Sequence, residues 1–343
     1  MIINNKTIMV TSKGHAELVD TEIKEFSDFD VLVETEYTAI SAGTERDNLL
    51  GTSNLGLEKE NPHFPRYIGY SGVGIVKQIG SKVTKVAIGD RVIVRWGTHS
   101  KYNRKHEDAL IKIDSKLDPK FAAFVLIATF STGGLRKTRL EFGESAMVVG
   151  VGLLGAFAIA FAKLAGAYPV IASDLDPKRR ELAKTLGADF VFDPKNSDYM
   201  NQVKSVTKNK QGAQVIIEVT GNAFAMSQSL DCAAPFGRVS LLGCTRVSNA
   251  PVDFYQQVHR PGVEIIGAHT DARPKLESRP YYWTEIDDCN VVMNYILSGR
   301  LDMNKIVTTV YNPLDATEVF NLLAEGTNFP VGAVFDWNSL KTK

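Results

Sequence analysis

Three glycines, Gly150, Gly152 and Gly155, followed one apolar strand later by Asp174, are the residues of this chain whose types and spacing point most directly to chemistry. The run follows a short apolar stretch, 146–149, and opens an alanine-rich one, 156–165. Gly150 permits a tight strand-to-helix turn, Gly152 lets backbone approach a pyrophosphate, and Gly155 lets helix and strand pack closely. The first N–H groups of that helix, around Leu153 and Leu154, then meet the phosphates together with the positive end of the helix dipole. Asp174 ends the next strand, where a carboxylate accepts hydrogen bonds from both ribose hydroxyls of an adenosine half and repels a 2′-phosphate. The expected cofactor is NAD(H) rather than NADP(H), with Lys178 as a cation in the turn of helix that follows.

Two further strand ends carry Thr220-Gly221-Asn222 and Gly243-Cys244-Thr245, and His269 follows the last strand. Flexible turns at the carboxyl edge of an open α/β sheet are where its ligands sit. Thr220, Gly221, Gly243, Cys244 and His269 therefore join the expected cofactor set, with ordinary connecting turns as the alternative. Beyond them lies a polar stretch from His269-Thr270-Asp271-Ala272-Arg273-Pro274 to Arg279-Pro280-Tyr281-Tyr282-Trp283. Its Arg, His and aromatic content suits a pocket for a hydroxylated or acidic small molecule, with Arg273 and Trp283 as substrate contacts. A surface loop at a subunit contact is the other reading.

The elements that must position these residues alternate strand and helix. Apolar strands at 146–149, 170–173, 190–192, 215–219, 239–242 and 263–266 predict a doubly wound parallel six-stranded sheet. Asp176 and Pro177 start a helix that runs through Leu182 to Gly187, an N-cap followed by proline at the first helical position. The first 130 residues differ. Alternating apolar positions at 31–37, 74–79 and 91–94, punctuated by glycine, predict a small antiparallel barrel. After residue 268, a helix over 287–298 closed by Gly299, a capping box Asp315-Ala316-Thr317-Glu318 and a strand at 333–336 bring the chain back to that barrel. The expected division is residues 1–130 with 271–343, and 131–270 for the dinucleotide domain.

With 343 residues the chain has length for two cores, and Lys plus Arg equal Asp plus Glu at 39 each. That balance gives no electrostatic case for nucleic acid or an anionic membrane. No apolar run approaches the roughly 20 residues needed to span a bilayer. The first residues, Met1-Ile2-Ile3-Asn4-Asn5-Lys6, lack a signal-peptide pattern, so the expected location is cytoplasmic. Cys232, Cys244 and Cys289 stand far apart and read as small buried hydrophobes rather than a disulfide framework or a metal site.

The order of barrel, dinucleotide domain and C-terminal return, together with Gly72-Val73-Gly74-Ile75-Val76 and Gly89-Asp90-Arg91-Val92, resembles the medium-chain dehydrogenase/reductase superfamily of alcohol, polyol and quinone reductases. The likeness covers almost the whole chain. It implies an α/β protein with a GroES-like β-barrel catalytic domain and a Rossmann domain, acting as a homodimer or homotetramer on a small molecule. Zinc members hold the catalytic metal with a Cys in a Cys-Gly-Thr-Asp-like turn, a His-Glu pair after glycine, and a further Cys or acid. The corresponding stretches here are Ala42-Gly43-Thr44-Glu45, Gly69-Tyr70-Ser71 and Leu126-Ile127-Ala128, and none offers a usable ligand. Zinc needs about three nitrogen, sulfur or oxygen ligands from the protein, so no zinc is expected. The lobe that carries four structural-zinc cysteines in relatives falls near 96–106, where there is no cysteine and where His99 and His106 read as solvated loop residues. Ser41 to Arg46 with Gly69-Tyr70 also looks like a zinc-lacking branch that includes bacteriochlorophyllide dehydrogenases.

Without zinc, an ordinary hydrogen-bond donor must meet the charge that grows on the carbonyl oxygen, a role worth about 3 kcal/mol judged by oxyanion-hole deletions. Tyr70 occupies a lost-ligand position and is the expected donor, the alternative being a cleft-wall tyrosine with a satisfied hydroxyl. Thr44 stands where zinc relatives pass the substrate proton outward, and Asp47 would continue the relay, though a turn-forming hydroxyl is equally open for Thr44. Glu45 and Arg46 form a local ion pair or touch substrate. The expected activity is NAD(H)-dependent, zinc-independent interconversion of a secondary alcohol, such as a sugar or polyol, and a ketone. Reduction of a carbon–carbon double bond, as in quinone and enoyl reductases, and a non-catalytic nucleotide sensor are the alternatives.

Overall fold

The computed structural model describes residues 2–52, 63–244 and 252–340, so Thr245 of the second strand-end turn lies outside the described residues. The chain divides into two compact units, Met1–Ile127 with Met293–Lys343, and Ala128–Val292. The crossing out of the barrel unit lies close to the expected residue 130. The return comes later than expected, so that the polar stretch 271–283 belongs to the dinucleotide unit.

In the first unit, β1 (Ile3–Ser12) and β2 (His15–Ile23) form a hairpin, followed by β3 (Asp30–Ala39) and α1 (Ala42–Leu50). Then come β4 (Arg66–Tyr67), β5 (Ser71–Ile79), β6 (Arg91–Arg95), β7 (Tyr102–His106), β8 (Leu110–Lys112) and the short α2 (Pro119–Ala122). Helix α3 (Val125–Lys137) leads into the second unit. The strands build a three-stranded sheet in the order β2-β1-β4 and a seven-stranded sheet in which β3 pairs antiparallel with both β5 and β7. Alternation makes one face apolar: Val31, Val33, Val76, Val92 and Val94 pack together as one core cluster.

The second unit is the six-stranded sheet. Its elements are β9 (Ala146–Val149), α4 (Leu153–Leu164), β10 (Val170–Ser173), α5 (Pro177–Thr185), β11 (Phe190–Phe192) and α6 (Tyr199–Ser205). They continue with β12 (Ala213–Glu218), α7 (Ala223–Cys232), β13 (Ala233–Leu241), β14 (Glu264–Gly267) and α8 (Glu285–Leu297). Strand order is β11-β10-β9-β12-β13-β14, all parallel, so the order reverses between β10 and β12 around β9. Such a reversal opens a crevice at the carboxyl ends of the strands. Strands β9 and β10 are buried at nearly every position, as expected for strands covered on both faces.

The chain then returns through β15 (Val307–Tyr311), α9 (Ala316–Glu325) and β16 (Gly332–Asp336), with β16 antiparallel to β3 and parallel to β15. Phe320, Phe335 and Trp337 from this return fill one core with Ile8, Ile40 and Leu49. The capping box at 315 does not form, since Asp315 makes no side-chain cap bond. A side-chain cap forms instead at the start of α8, where Thr284 Oγ1 accepts from the Asp287 N–H at 3.2 Å and donates to the Asp287 carboxylate at 2.9 Å, while the Thr284 N–H is taken by Ser278 Oγ at 2.9 Å. Among the cysteines, Cys232 and Cys289 are buried as expected and Cys244 is exposed.

Two glycines give a contrasting test of this packing. A Cβ at Gly155 would stand 1.9 Å from the Gly150 carbonyl oxygen, whereas one at Gly43 meets nothing within 4 Å. Gly155→Ala is expected to cost about 3 kcal/mol by overpacking, and Gly43→Ala to leave stability level or raise it by up to about 1 kcal/mol. Thermal unfolding midpoints of the two variants check both signs.

Candidate active site

The nucleotide cradle sits at the carboxyl end of β9. Helix α4 starts at Gly152 with no side-chain cap and no acid in its first turn, so its leading N–H groups and dipole meet no neutralising side chain. A Cβ at Gly152 would meet only Arg179 Nη1, at 3.5 Å, which leaves open space over the turn with a guanidinium at its rim. Asp174 Oδ2 accepts from the Val151 N–H at 2.7 Å and Oδ1 from the Asp176 N–H at 2.8 Å. Each carboxylate oxygen keeps lone-pair capacity for a ribose hydroxyl. These residues fit a dinucleotide.

The cation beside this cradle is Arg179, whose Nη1 also reaches the Val151 carbonyl at 3.5 Å. Lys178, the expected one, is exposed and engages Asp176 through its backbone N–H alone, at 2.8 Å. One residue along a helix turns a side chain by about 100°, and only the structure fixes which of the adjacent basic residues faces the glycines.

At the ends of β12 and β13 the structure brings Thr220, Gly221, Gly243 and Cys244 together: Gly221 lies directly against the Cys244 backbone. Glu218, fully buried and missed by the sequence reading inside an apolar strand, organises both turns. Its carboxylate accepts from the Thr220 hydroxyl, the Thr220 N–H (2.7 Å) and the Gly221 N–H (3.3 Å), while its carbonyl accepts from the Gly243 N–H (2.8 Å). Burial pushes the Glu218 carboxyl pKa up, and the bonds from Thr220 and Gly221 oppose that shift. His269, half exposed, accepts from the Asp271 N–H at 3.2 Å through Nδ1.

The polar stretch after β14 is anchored rather than loose. Arg273 donates to the Thr129 hydroxyl (3.3 Å) and carbonyl (3.2 Å). Trp283 lies 3.8 Å beneath the Arg136 guanidinium, which pairs at 2.8 Å with Asp288, a carboxylate only 1% exposed. Burial raises the Asp288 pKa, and the charges of Arg136 and Arg273 pull it back.

In the barrel unit, Ser41 stands at the N-cap position of α1, without a side-chain cap bond, and gathers the second set of expected residues. Tyr70, half-buried and stacked on Trp96, donates its phenol proton to Ser41 Oγ at 2.6 Å. Thr44, on the first turn of α1, keeps its hydroxyl unbonded among the described residues, and no bond joins it to Asp47. Asp47 instead closes the other end of the helix by accepting from the Thr52 hydroxyl at 3.0 Å.

Glu45 and Arg46 do not take the roles expected for them. Glu45 is fully buried: Oε1 accepts from the Ser41 N–H at 2.8 Å and Oε2 meets His99 Nε2 at 3.0 Å. It can neither touch substrate nor pair with Arg46, whose guanidinium donates to the Ala324 carbonyl at 3.0 Å near the end of α9. His99 is correspondingly no solvated loop residue. Its exposure is 0%, and Nδ1 lies 2.7 Å from Thr38 Oγ1, which accepts from Trp337 Nε1 at 2.9 Å. His106 is half exposed, as expected.

The residues at the three expected metal positions do not fit catalytic zinc. Ala42 and Ala128 have no donor atom, and the Tyr70 phenol is committed to Ser41. Among the described residues no group of three His, Cys, Asp or Glu side chains is placed to hold a metal.

Residues 27–139 match the family described as the alcohol dehydrogenase GroES-like domain, and residues 153–278 match the zinc-binding dehydrogenase family. The chain belongs to the medium-chain dehydrogenase/reductase superfamily. As a member it is an oxidoreductase of the alcohol-dehydrogenase type. It is 29% identical to L-threonine 3-dehydrogenase of Pyrococcus horikoshii over 93% of this chain and 95% of that one. It is 26% identical to D-guloside 3-dehydrogenase of Escherichia coli over 90% and 94%. The fold matches a putative zinc-binding dehydrogenase from Sinorhizobium meliloti bound to NADP, with a TM-score of 0.81, 21% identity and coverage of 97% and 99%. No helix among the described residues is long and apolar enough to cross a membrane.

The buried Glu45–His99 pair predicts a measurable energy. Removing one member of a buried pair leaves the other uncompensated, at a cost of about 3 to 5 kcal/mol. His99→Ala is expected to destabilise by about that amount, and the Glu45→Ala/His99→Ala double variant by clearly less than the sum of the single ones. Denaturant unfolding of the four proteins in the cycle measures the coupling.

Proposed function

We propose that this oxidoreductase interconverts a secondary alcohol and a ketone on a hydroxylated small molecule, using NAD(H) and no zinc. Relatives named as threonine, guloside and alcohol dehydrogenases support the reaction class. The observation that carries the reading is the hydrogen bond from Tyr70 to the α1 N-cap residue Ser41, in the two loops that hold the metal in zinc relatives, with Thr44 on the same helix turn. Asp174 carries the cofactor preference: its oxygens suit ribose hydroxyls and its charge repels a 2′-phosphate, unlike the NADP bound by the Sinorhizobium neighbour. The proposed setting is a cytoplasmic homodimer or homotetramer.

A bound nicotinamide supplies the hydride acceptor or donor. The chain handles the oxygen and its proton. In the reducing direction the Tyr70 O–H turns from Ser41 toward the substrate oxygen, and the Ser41 hydroxyl, until then the acceptor, donates to the phenol oxygen in its place. The proton lost from Tyr70 to the alkoxide is replaced by the Ser41 proton, and the Ser41 hydroxyl is restored in turn from solvent. One well-aimed donor of this kind is worth about 3 kcal/mol of transition-state stabilisation.

Two measurements test the reading. With chelator-treated enzyme, the unmodified protein is expected to keep its turnover and Tyr70→Phe to lose about 100-fold or more in kcat, with NADH affinity unchanged within about twofold. Loss of activity on chelation, or equal kcat for Tyr70→Phe, defeats the metal-free chemistry. Fluorescence titration is expected to show NADH bound more tightly than NADPH, and Asp174→Ala to remove most of the difference. Equal affinities in the unmodified protein defeat the NAD assignment.

A further inference from the structure

Helix α3 and the segment after β14 enclose a narrow recess of about 10 Å³ in the Rossmann unit, lined by Gly133, Lys137, His269, Arg273, Tyr281 and Trp283 among others, and Arg273 and Tyr282 also line an adjoining open pocket of about 470 Å³. The recess opens at the carboxyl end of β14. In a sheet of this order the adenosine half of a dinucleotide lies toward β10 and Asp174, so the reacting half lies toward β12 to β14. The recess therefore stands at the end of the crevice where a substrate meets the nicotinamide.

Two of its walls are cations, and neither has a carboxylate at ion-pair distance among the described residues. Lys137, only 6% exposed, spends one proton on the Gly267 carbonyl at 3.1 Å. Arg273 spends two N–H groups on Thr129, at 3.2 and 3.3 Å. Two ammonium protons and three guanidinium protons are left over. The buried acid nearby, Asp288, is already paired with Arg136 at 2.8 Å. Gly133 is the residue that admits Arg273, since a Cβ there would lie 3.2 Å from Nη2. Burial first, and then the charge of Arg273, lower the Lys137 pKa. Two partly desolvated like charges facing one recess repel each other, and an anion between them removes that repulsion while using the spare donors.

We propose that Lys137 and Arg273 form an anion subsite, which takes the carboxylate or phosphate of an acidic hydroxylated substrate. The inference rests on the reading of the chain as an alcohol–ketone dehydrogenase. Arg273 offers a planar fork to two oxygens, and Lys137 adds a point charge on the side of α3. Tyr281 reinforces the wall: Pro280 and Tyr281 form the tip of a tight turn closed by mutual bonds between Arg279 and Tyr282, and Tyr281 adopts φ +67°. A bulky residue there is held by its surroundings against its own preference.

The test has two arms. First, the nucleotide-free protein at constant ionic strength is titrated calorimetrically with malonate and with inorganic phosphate. Saturable binding of at least one is expected, weakened tenfold or more in Lys137→Gln and Arg273→Gln, kept in Lys137→Arg, with NADH affinity unchanged within twofold throughout. The tighter probe tells carboxylate from phosphate. Second, kcat/KM is compared for hydroxy acids, sugar phosphates and neutral polyols. Arg273→Gln is expected to lose at least 30-fold on the anionic class and less than threefold on the neutral one. The proposal is overturned if neither probe binds, if the variants bind like the unmodified protein, or if they weaken NADH as much as the anion. Turnover of anionic and neutral substrates alike indifferent to Arg273 defeats the subsite and leaves the dehydrogenase reading intact. Variant-sensitive anion binding without turnover of any alcohol or ketone does the reverse.

Discussion

A carboxylate and an imidazole sealed from water, Glu45 and His99, hold the barrel unit's share of the active site in place. Isolated polar groups at zero exposure would be costly, and here both carboxylate oxygens of Glu45 and both ring nitrogens of His99 have partners. Trp337 Nε1 donates to Thr38 Oγ1, which lies 2.7 Å from His99 Nδ1. His99 Nε2 meets Glu45 at 3.0 Å, and the other Glu45 oxygen receives the Ser41 N–H. From Trp337 at the end of the chain to Ser41 at the head of α1, one line of donors and acceptors is complete. Ser41 is the residue on which Tyr70 rests its phenol.

That line continues into two loops, the one that opens α1 and the one that enters β5. In this chain the same loops are joined by Tyr70 to Ser41, and the loop 96–101 is drawn in through His99 and through the stack of Trp96 on Tyr70. Hydrogen bonds are individually weaker than metal–ligand bonds, and they hold position only where water is excluded and neighbours are packed. The apolar cluster of Ile40, Leu49, Phe320 and Phe335 around α1 supplies that exclusion.

The parts of this structure that were legible in sequence are the local ones. Strands β9, β10 and β11, the glycine turn and Asp174 lie within one stretch of chain, and their logic is carried by neighbours a few residues apart. Glu45 and His99 are separated by 54 positions, and nothing local distinguishes a buried pair from an exposed acid and a loop histidine. Glu218 hid inside an apolar strand because a carboxylate that caps two turns with its own lone pairs needs no polar neighbours in sequence. Lys178 and Arg179 differ by one helical step. The cap read at Asp315 is found instead at Thr284, whose hydroxyl takes the Asp287 N–H while Ser278 takes the Thr284 N–H. In each case a tertiary contact chose among options that propensity left equal.

The same contacts sort charge along the carboxyl edge of the sheet. Over the whole chain basic and acidic residues cancel, 39 against 39, yet the edge is not neutral point by point. The acid Asp174 stands at the β10 end, an uncapped helix start and Arg179 stand over β9, and Lys137 and Arg273 stand beyond β14. A molecule laid along that edge meets an acceptor for hydroxyls, then donors for a pyrophosphate, then cations with protons to spare. Glu218 does not disturb the order, because its negative oxygens are turned onto Thr220 and Gly221 and saturated there. Asp288, a buried acid nearby, pairs with Arg136, which stacks on Trp283. Arg136 and Arg273 thus both act on Asp288, the first through a direct bond and the second through its charge, and Arg273 bonds Thr129 as well, which ties the 271–283 segment to α3.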